Sequence, residues 1–538
     1  MHPELQRIAD LPTGNRGQAF SLSEEGLRRG EADVQLRPIQ LRALGNMMDA
    51  GGLVGAIGVG LGKTLIAFLA GSVLGCRQVV VFMPAGCVAQ AQRMYADYRR
   101  DWDLPPIHIL SYARLSQPSG TNLLAQLRPD LIVADEAHLL KRLESARTKR
   151  IVRHFREHPT TRFVALSGTM TSRSILDYSH LAELALRERS PLPRDRYTVQ
   201  AWARVLDAGE TPAGTDWQHL APIYRGRDQQ EARAAFRDRF TATPGVVCSA
   251  REELGVSLRL AHLEGIPFPT LALCNQIRDT GRTPDGVAFA TDLAEWACLR
   301  QLALGFFYGY KWPGEVDQAW LDARNYWSSA CRQWLSTDAR ANRDSPLLVS
   351  QAIDRGEDLP ASLVGAWTDW KLAKQRPGPT TVDRWPDPEA HALRALLRYA
   401  DGNTLIWYES DAVARWLVLN HYRVIRAGEP PPEAPDGRPV ALSIRSHGQG
   451  LNLQAWAHNL VLEPPSSGKT WEQLIGRTHR MGQTADSVVV LIATHVPVFR
   501  RGLRKARREA EYVNQTQGQP QRLLYADYTT ERQPNESI

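Results

Sequence analysis

The stretch Leu53-Val54-Gly55-Ala56-Ile57-Gly58-Val59-Gly60-Leu61-Gly62-Lys63-Thr64 indicates the fold class of this chain. Its apolar first part, residues 53–57, predicts a buried strand, and a helical pattern starts at Leu65 after the glycine-rich turn. Glycines let the backbone curl so that successive N–H groups face one point, where the helix dipole adds positive potential. This order of strand, turn and helix is typical of a phosphate-binding loop in an α/β domain.

Two side chains at the end of this stretch suit a nucleotide. Lys63 is expected to neutralise the charge of the β- and γ-phosphates, and the Thr64 hydroxyl is expected to hold Mg²⁺. Ile57 stands where the strict loop pattern has glycine. A flexible glycine turn without a ligand is the alternative interpretation.

Further apolar runs predict two α/β domains. At 538 residues the chain exceeds what one hydrophobic core usually serves. Short buried strands that alternate with amphipathic stretches are typical of a doubly wound parallel sheet. The predicted strands are 79–83, 131–134 and 163–166 in the first series and 404–408, 440–444, 459–462 and 487–493 in the second. We therefore expect two doubly wound sheets with a largely helical region between them.

The predicted organisation has five parts. They are an N-terminal extension (1–30), a first α/β domain (31–185), a helical insertion (186–385), a second α/β domain (386–497) and a basic helix with a polar tail (498–538). In the insertion Trp320, Trp327 and Trp334 recur every seven residues, on one helical face, which indicates a packed core or a base-stacking surface. The basic run at 500–508 indicates either a phosphate grip or a solvated face.

Composition narrows the class of protein. The formal charge of +7 and the pI near 9.1 lean mildly toward polyanionic partners. The six cysteines form no C-x-x-C pair, which favours a reducing compartment and no structural zinc. No signal peptide or membrane span is recognisable. We expect a cytoplasmic protein without a membrane partner.

Carboxylates follow the predicted strand 131–134. Asp135 and Glu136 stand at its carboxyl end, where open α/β sheets bind ligands. Asp135 is expected to hold Mg²⁺, and Glu136 to orient and deprotonate an attacking water. The alternative is an acidic loop with no catalytic role. The presence of the phosphate-binding loop earlier in the chain, in the order expected, makes this alternative less favoured. Small hydroxyl residues, Ser167-Gly168-Thr169, end the next strand.

Two arginines near the C-terminus complete the pattern. Arg477 and Arg480 lie three residues apart in the string 473–483, QLIGRTHRMGQ, and so project from one helical face. Two guanidinium groups at one point suit the charge of a transferring phosphoryl group. A solvated basic helix end is the alternative. Upstream, the glycine-containing segment 446–454 follows a predicted strand and permits close approach to phosphate.

The ordered set from Leu36 to Gln483 resembles superfamily 2 helicases, and within them the Snf-type DNA translocases. The strings LRPIQ (36–40), GLGKT (60–64), DEAH (135–138), SGT (167–169), GLNL (450–453) and RTHRMGQ (477–483) carry the resemblance. It implies two RecA-like domains and a compact protein like bacterial or phage members of the family. The chain departs from the family at Ile57-Gly58, where acidic residues are usual, and at 170–173.

The resemblance also implies roles for single residues. It implies that Gln40 reads adenine and that the catalytic residues are Glu136, Arg480, Arg477 and Lys63. Expected to contact ATP and Mg²⁺ are Gln40, Gly58, Gly60, Leu61, Gly62, Lys63, Thr64, Asp135 and Gly450. Expected to contact nucleic acid are Pro84, Ala85, Ser111, Tyr112, Ser446 and Gly448.

The expected function is an ATP-driven, nucleic-acid-stimulated motor that moves along duplex DNA. A strand-separating DNA or RNA helicase is the nearest alternative. An adaptor gated by ATP, with little turnover, is the alternative from another class. The helical insertion is the expected site for a protein partner.

Overall fold

The computed structural model describes residues 3–14, 22–30, 34–171, 173–250, 255–336, 345–448 and 451–532. Within these ranges the chain is an α/β structure with two parallel sheets, of six and seven strands, and an antiparallel strand pair. The strands are β1 (Leu53–Ala56), β2 (Val79–Met83), β3 (Ile107–Ser111), β4 (Leu131–Asp135), β5 (Arg162–Ser167), β6 (Val246–Cys248), β7 (Ser257–Glu264), β8 (Phe307–Lys311), β9 (Thr380–Arg384), β10 (Thr404–Tyr408), β11 (Arg423–Val424), β12 (Val440–Ser443), β13 (His458–Val461), β14 (Ser487–Ala493) and β15 (Asp527–Arg532).

Helices surround both parallel sheets. They are α1 (Pro3–Ala9), α2 (Pro38–Ala50), α3 (Lys63–Leu74), α4 (Val88–Tyr98), α5 (Tyr112–Ser116), α6 (Leu123–Leu127), α7 (Ala146–Glu157), α8 (Ser179–Leu186), α9 (Arg196–Leu206), α10 (Gly214–His219), α11 (Gln229–Ala242), α12 (Leu271–Thr280), α13 (Asp292–Leu302), α14 (Gln318–Leu335), α15 (Pro346–Asp354), α16 (Ala361–Ala373), α17 (His391–Leu397), α18 (Asp411–Leu419), α19 (Ile444–His447), α20 (Gly468–Ile475), α21 (Pro497–Gln517) and α22 (Arg522–Tyr525).

The first sheet has the strand order β3-β2-β4-β5-β1-β6, with all neighbours parallel. Every residue of β1 and β2 is buried, because apolar clusters cover both faces of the sheet. Ala56 of β1 lies opposite Ser167 of β5, and Asp135 of β4 lies opposite Leu166. The carboxyl ends of β4, β5 and β1 therefore form one continuous edge.

The second sheet has the order β11-β12-β10-β13-β14-β7-β15, again with parallel neighbours. Strand β7 comes early in the chain, and β15 comes from its C-terminal end. The seven strands predicted in the two series are confirmed, with bounds that differ by one residue at most. The expectation of two parallel α/β sheets with many helices is confirmed at that level.

The predicted helical insertion 186–385 is not a separate body. Its first part, through β6, packs in the core of the first sheet, where Trp202, Phe236 and Phe240 are buried. Strand β7 joins the second sheet, and the remaining helices and the β8–β9 pair lie between β7 and β10. The sequence pattern missed this division because short strands such as β6 carry too few residues to show a period.

The tryptophans spaced by seven belong to a core. Trp320, Trp327 and Trp334 are all less than 9% exposed. Trp327 and Trp334 pack with residues of α15 and α16, and Trp320 packs edge-on against Trp312 and Trp370. These rings are not free to stack on bases, so the core interpretation is the correct one.

The C-terminal basic run lies on α21. One face of this helix is buried in the second core through Leu503, Ala506 and Ala510. The basic side chains point outward, with Arg507 over the ring of Tyr528 at 4.7 Å. Since β15 completes the second sheet, the expected boundary at 497 does not separate the helix or the tail from the second α/β unit.

Candidate functional site

The loop between β1 and α3 has the backbone that its glycines predict. Gly60 and Gly62 have φ values of 91° and 75°, in the left-handed region that side chains rarely adopt. A Cβ placed on Gly62 would also overlap the amide of Gln40. The helix begins directly after Gly62, so its free N–H groups face the concave side of the loop.

Lys63 lies inside this loop. Its side chain is buried, and Nζ donates hydrogen bonds of 3.0 Å to the carbonyl oxygens of Ile57 and Gly58. Burial lowers the pKa of Lys63, and the nearby carboxylates of Glu136 and Asp135 oppose that shift. The loop thus holds an ammonium group at the place where phosphates would bind.

Asp135 and Glu136 stand together at the end of β4. The Oδ1 atom of Asp135 accepts a hydrogen bond of 3.0 Å from the N–H of Glu136, whose φ of 57° is left-handed. Burial, together with the charge of Glu136, raises the pKa of Asp135 to about 7. Two adjoining carboxyl groups at a strand end, with Lys63 as a nearby cation, can also accommodate a metal cation.

His138 connects β4 with β5. Its Nδ1 atom lies 3.0 Å from Oε2 of Glu136 and 2.9 Å from Oγ of Ser167. Ser167 in turn donates a hydrogen bond of 2.8 Å to the carbonyl oxygen of Thr169. Burial lowers the pKa of His138, which favours the neutral ring. The imidazole therefore fixes the orientation of the Glu136 carboxylate and ties it to the Ser167-Gly168-Thr169 segment.

Two arginines of the second unit face the loop. Nη1 of Arg480 donates a hydrogen bond of 2.6 Å to Oδ1 of Asn452, and a Cβ on Gly60 would lie 3.6 Å from the Arg480 guanidinium. Arg477 is 7% exposed and donates hydrogen bonds of 3.1 Å to the carbonyl oxygens of Gly448 and Leu451. Arg480 is thus poised over the loop, whereas Arg477 also holds its own unit together.

The two units enclose a cleft of about 280 Å³. Residues predicted for the site that line it are Gly60, Gly62, Lys63, Thr64, Asp135, Glu136, Arg477 and Arg480. One end of the cleft is formed by Arg37, Gln90, Met94 and Tyr98. This wall combines a phenol ring, a thioether and polar groups, and such a surface accommodates a flat heterocycle.

Several predicted cofactor residues act behind the cleft. Gln40 is 4% exposed; its Oε1 accepts from the N–H of Arg37, and its Nε2 donates to the carbonyl oxygen of Gly62. Gly58 and Leu61 are likewise part of the loop's support and do not line the cleft. Gly450 lies outside the described residues.

The predicted nucleic-acid residues are dispersed. Pro84 lines the nucleotide cleft. Tyr112 is 2% exposed, and its hydroxyl donates a hydrogen bond to the carbonyl oxygen of Asp135. Tyr112 therefore offers no surface to a nucleic acid in this conformation. Ala85 and Ser446 are exposed, and Ser111 is half-buried. Gly448 is buried, and its carbonyl oxygen binds Arg477.

Some residues of the cleft were not predicted. Arg37 and Asn452 lie inside strings that carried the resemblance, and their polar side chains were a usable signal. Tyr98 ends an ordinary amphipathic helix, and nothing in its local pattern indicates a ligand. Lys469 lies outside the cleft but close enough to Glu136 to lower the pKa of that carboxyl, and nothing in the sequence around it indicated this position.

No family model matches the sequence, and no curated protein matches it. The case for the site therefore depends on its own geometry. Among the described residues no group of three or more histidine, cysteine or carboxylate side chains could hold a metal ion. No helix in the described part of the chain is long and apolar enough to span a membrane. In the described part of the chain none of the six cysteines forms a disulfide bond.

Proposed function

We propose that this protein is a Mg²⁺-dependent, nucleic-acid-stimulated ATPase that moves along duplex DNA, with two RecA-like units of the superfamily 2, Snf-type kind. One observation carries the proposal. Lys63 and Glu136 on the first unit face Arg480 on the second across a single cleft, so that the groups needed for phosphoryl transfer come from both units. Neither unit alone contains them all.

The cleft suits a nucleoside triphosphate. Loop amides and Lys63 would bind the β- and γ-phosphates, and the wall around Tyr98 would accept the base. Thr64 and Asp135 would hold Mg²⁺, which when bound neutralises phosphate charge. One carboxylate and one hydroxyl fit this ion, because Mg²⁺ usually completes its shell with water and substrate phosphates.

Glu136 would orient the attacking water and accept its proton, while His138 keeps the carboxylate in place. The bond from the water oxygen to the γ-phosphorus forms as the bridging P–O bond breaks, giving ADP and inorganic phosphate. Arg480, assisted by Arg477, would stabilise the charge on the transferring group. Hydrolysis would therefore require both units to be together.

Movement follows if binding and release of nucleotide alternately close and open the cleft while each unit grips the backbone. Contacts to phosphates would make binding salt-sensitive and weakly sequence-specific. A strand-separating helicase would use the same cleft. An ATP-gated adaptor would not need Glu136 and Arg480 on opposite sides of one cleft.

The test is steady-state ATPase activity of the wild type and of Glu136→Gln, each alone and with single-stranded DNA, duplex DNA or RNA. We expect stimulation by duplex DNA that Glu136→Gln abolishes. Glu144→Gln is the matched control, because Glu144 is 88% exposed and lies outside the cleft. Stronger stimulation by single-stranded DNA or RNA would favour a strand-separating helicase. ATP binding without hydrolysis under every condition would favour the ATP-gated adaptor.

A further inference from the structure

A second cavity lies on the other side of His138 from the nucleotide cleft. It has a volume of about 320 Å³ and shares no lining residue with the cleft. Its wall on the first unit includes His138 and Thr169. His138 contacts Glu136 and is hydrogen-bonded to Ser167, which in turn donates to the carbonyl oxygen of Thr169. We name it the rear pocket.

The rear pocket is strongly basic. Lys141, Arg142 and Arg147 come from the first unit, and Lys469 comes from the second. None of these four side chains forms an ion pair or a hydrogen bond within the described residues. Asp177 is the one carboxylate in the lining, and its Oδ2 accepts a hydrogen bond of 2.8 Å from Thr171. Four cations thus converge on a space with a single acidic group.

Two groups in this wall, the His138 ring and the Lys469 ammonium group, have nitrogen atoms without a hydrogen-bond partner among the described residues. His138 is 6% exposed, and its Nε2 atom is buried without a hydrogen-bond partner. Because Nδ1 of the neutral ring carries the proton that faces Glu136 and Ser167, Nε2 has a free lone pair, which can accept a hydrogen bond from a P–OH group. Burial lowers the pKa of Lys469 to about 8, a shift that Glu136 opposes and Lys141 assists. Lys469 therefore remains mostly charged at pH 7. Glu136 offsets only part of the cost of this half-buried ammonium group, so a further anion in the rear pocket would stabilise it.

We propose that the rear pocket binds inorganic phosphate as the hydrolysis product leaves Glu136. The inference rests on the proposed ATPase, which supplies the phosphate. ADP would still occupy the loop side of the cleft, so the cleaved group leaves more readily past His138 toward the cations. Because Lys469 belongs to the second unit, bound phosphate would hold the two units together and its departure would free them.

Phosphate could also reach these cations as part of a nucleic-acid backbone. A cavity of about 320 Å³ between the two units has room for a tetrahedral oxyanion but none for a duplex. The experiment must therefore compare inorganic phosphate with duplex DNA. It must also weaken phosphate binding at the P-loop, and Lys63→Ala does so by deleting the loop cation.

The measurement is calorimetric titration of Lys63→Ala protein with inorganic phosphate, which needs no turnover. Adding Arg147→Gln or Arg142→Gln should weaken phosphate binding by about tenfold, as expected for losing one charge-assisted contact. Arg142 is exposed, so its variant should fold even if that of Arg147 does not. Adding Arg196→Gln, an exposed position on α9 outside the pocket, is the control with the same charge change and should leave phosphate affinity unchanged.

Equal phosphate affinity in all these variants, or no phosphate binding in Lys63→Ala, would overturn the inference while leaving the ATPase proposal intact. Loss of duplex affinity in the Arg142 and Arg147 variants, without loss of phosphate binding, would also overturn it and assign the cations to DNA. If the protein shows no ATPase activity but the rear pocket binds phosphate as described, the pocket assignment stands and only ATP hydrolysis as the source of the phosphate is wrong.

Discussion

The side-chain amide of Gln519 donates a hydrogen bond of 2.5 Å to the carbonyl oxygen of Gly168, 351 residues earlier in the chain. Gln519 is 2% exposed. Gly168 follows β5 beside the nucleotide loop, where a Cβ would lie 3.8 Å from Nζ of Lys63. The segment after α21 therefore contacts the first unit directly at its candidate site.

We predict that Gln519→Leu weakens the join between the units. It leaves the Gly168 carbonyl without its buried partner, and the expected loss in the free energy of unfolding is about 1–3 kcal/mol. Duplex stimulation of the ATPase should fall as well. Denaturant unfolding and ATPase assays measure both effects. Asn514→Leu, at an exposed position on α21, should change stability by less than about 0.5 kcal/mol; equal effects of the two substitutions would contradict the prediction.

Substitution of Arg480 should mainly reduce catalysis, whereas substitution of Arg477 should mainly reduce stability. Arg480→Ala should lower kcat by about 10²–10³-fold or more with little change in stability, because the side chain is directed at the loop. Arg477→Ala should cost on the order of 2–4 kcal/mol of unfolding free energy, because the carbonyl groups of Gly448 and Leu451 lose a buried donor. Thermal unfolding with single-turnover kinetics distinguishes them, and a stable Arg477→Ala protein would count against this assignment.

The glycines of the loop should differ in tolerance. Gly62→Ala combines a φ of 75° with an overlap on Gln40, so we expect loss of nucleotide binding. Gly58→Ala should bind nearly normally, since its Cβ would be in ordinary contact with the Ser249 hydroxyl, at 3.4 Å, and with the Leu61 side chain, at 3.5 Å. Fluorescent nucleotide binding compares the pair. Similar affinities in both variants would show that the loop rearranges when it binds.

Asp207 provides a test of pH dependence. Burial raises its pKa to about 6, against hydrogen bonds from Ser174 and Tyr512. The carboxyl titrates near 3.8 when unfolded, so the folded state binds more protons between these values and stability falls as pH rises through that window. Above pH 6 Asp207→Asn should therefore be more stable by on the order of 1–3 kcal/mol. The amide oxygen can still accept from Tyr512, whose hydroxyl lies 2.9 Å from Oδ1.

Urea unfolding of wild type and Asp207→Asn at pH 5 and pH 7 checks this prediction. The difference between the proteins should grow with pH. Asp97→Asn, on the exposed face of α4, is the control and should show no such growth. A constant difference across the range would mean that Asp207 is not held in the described environment.

Much of the first unit was predictable because its signals are local. Strand β2 consists of five buried apolar residues, a pattern that predicts a buried strand. The glycine-rich segment Gly58–Lys63 predicts the turn that follows β1. Strands β6 and β7 were missed, since β6 has three residues and β7 lies in a stretch expected to be helical. The boundaries at 185 and 386 followed the two predicted strand series, so they leave β6 and β7 outside both predicted α/β domains.

The sequence alone determined the buried strands, the glycine turn and the identity of the groups at each strand end, because backbone conformation and burial pattern depend on neighbouring residues. Only the tertiary structure decided that β5 lies between β4 and β1, which brings Asp135, Ser167 and Lys63 to one edge. It also decided that Arg480, Lys469 and Gln519 approach this edge from the second unit. Those contacts join residues hundreds of positions apart, and their pairing depends on how two separately formed surfaces pack.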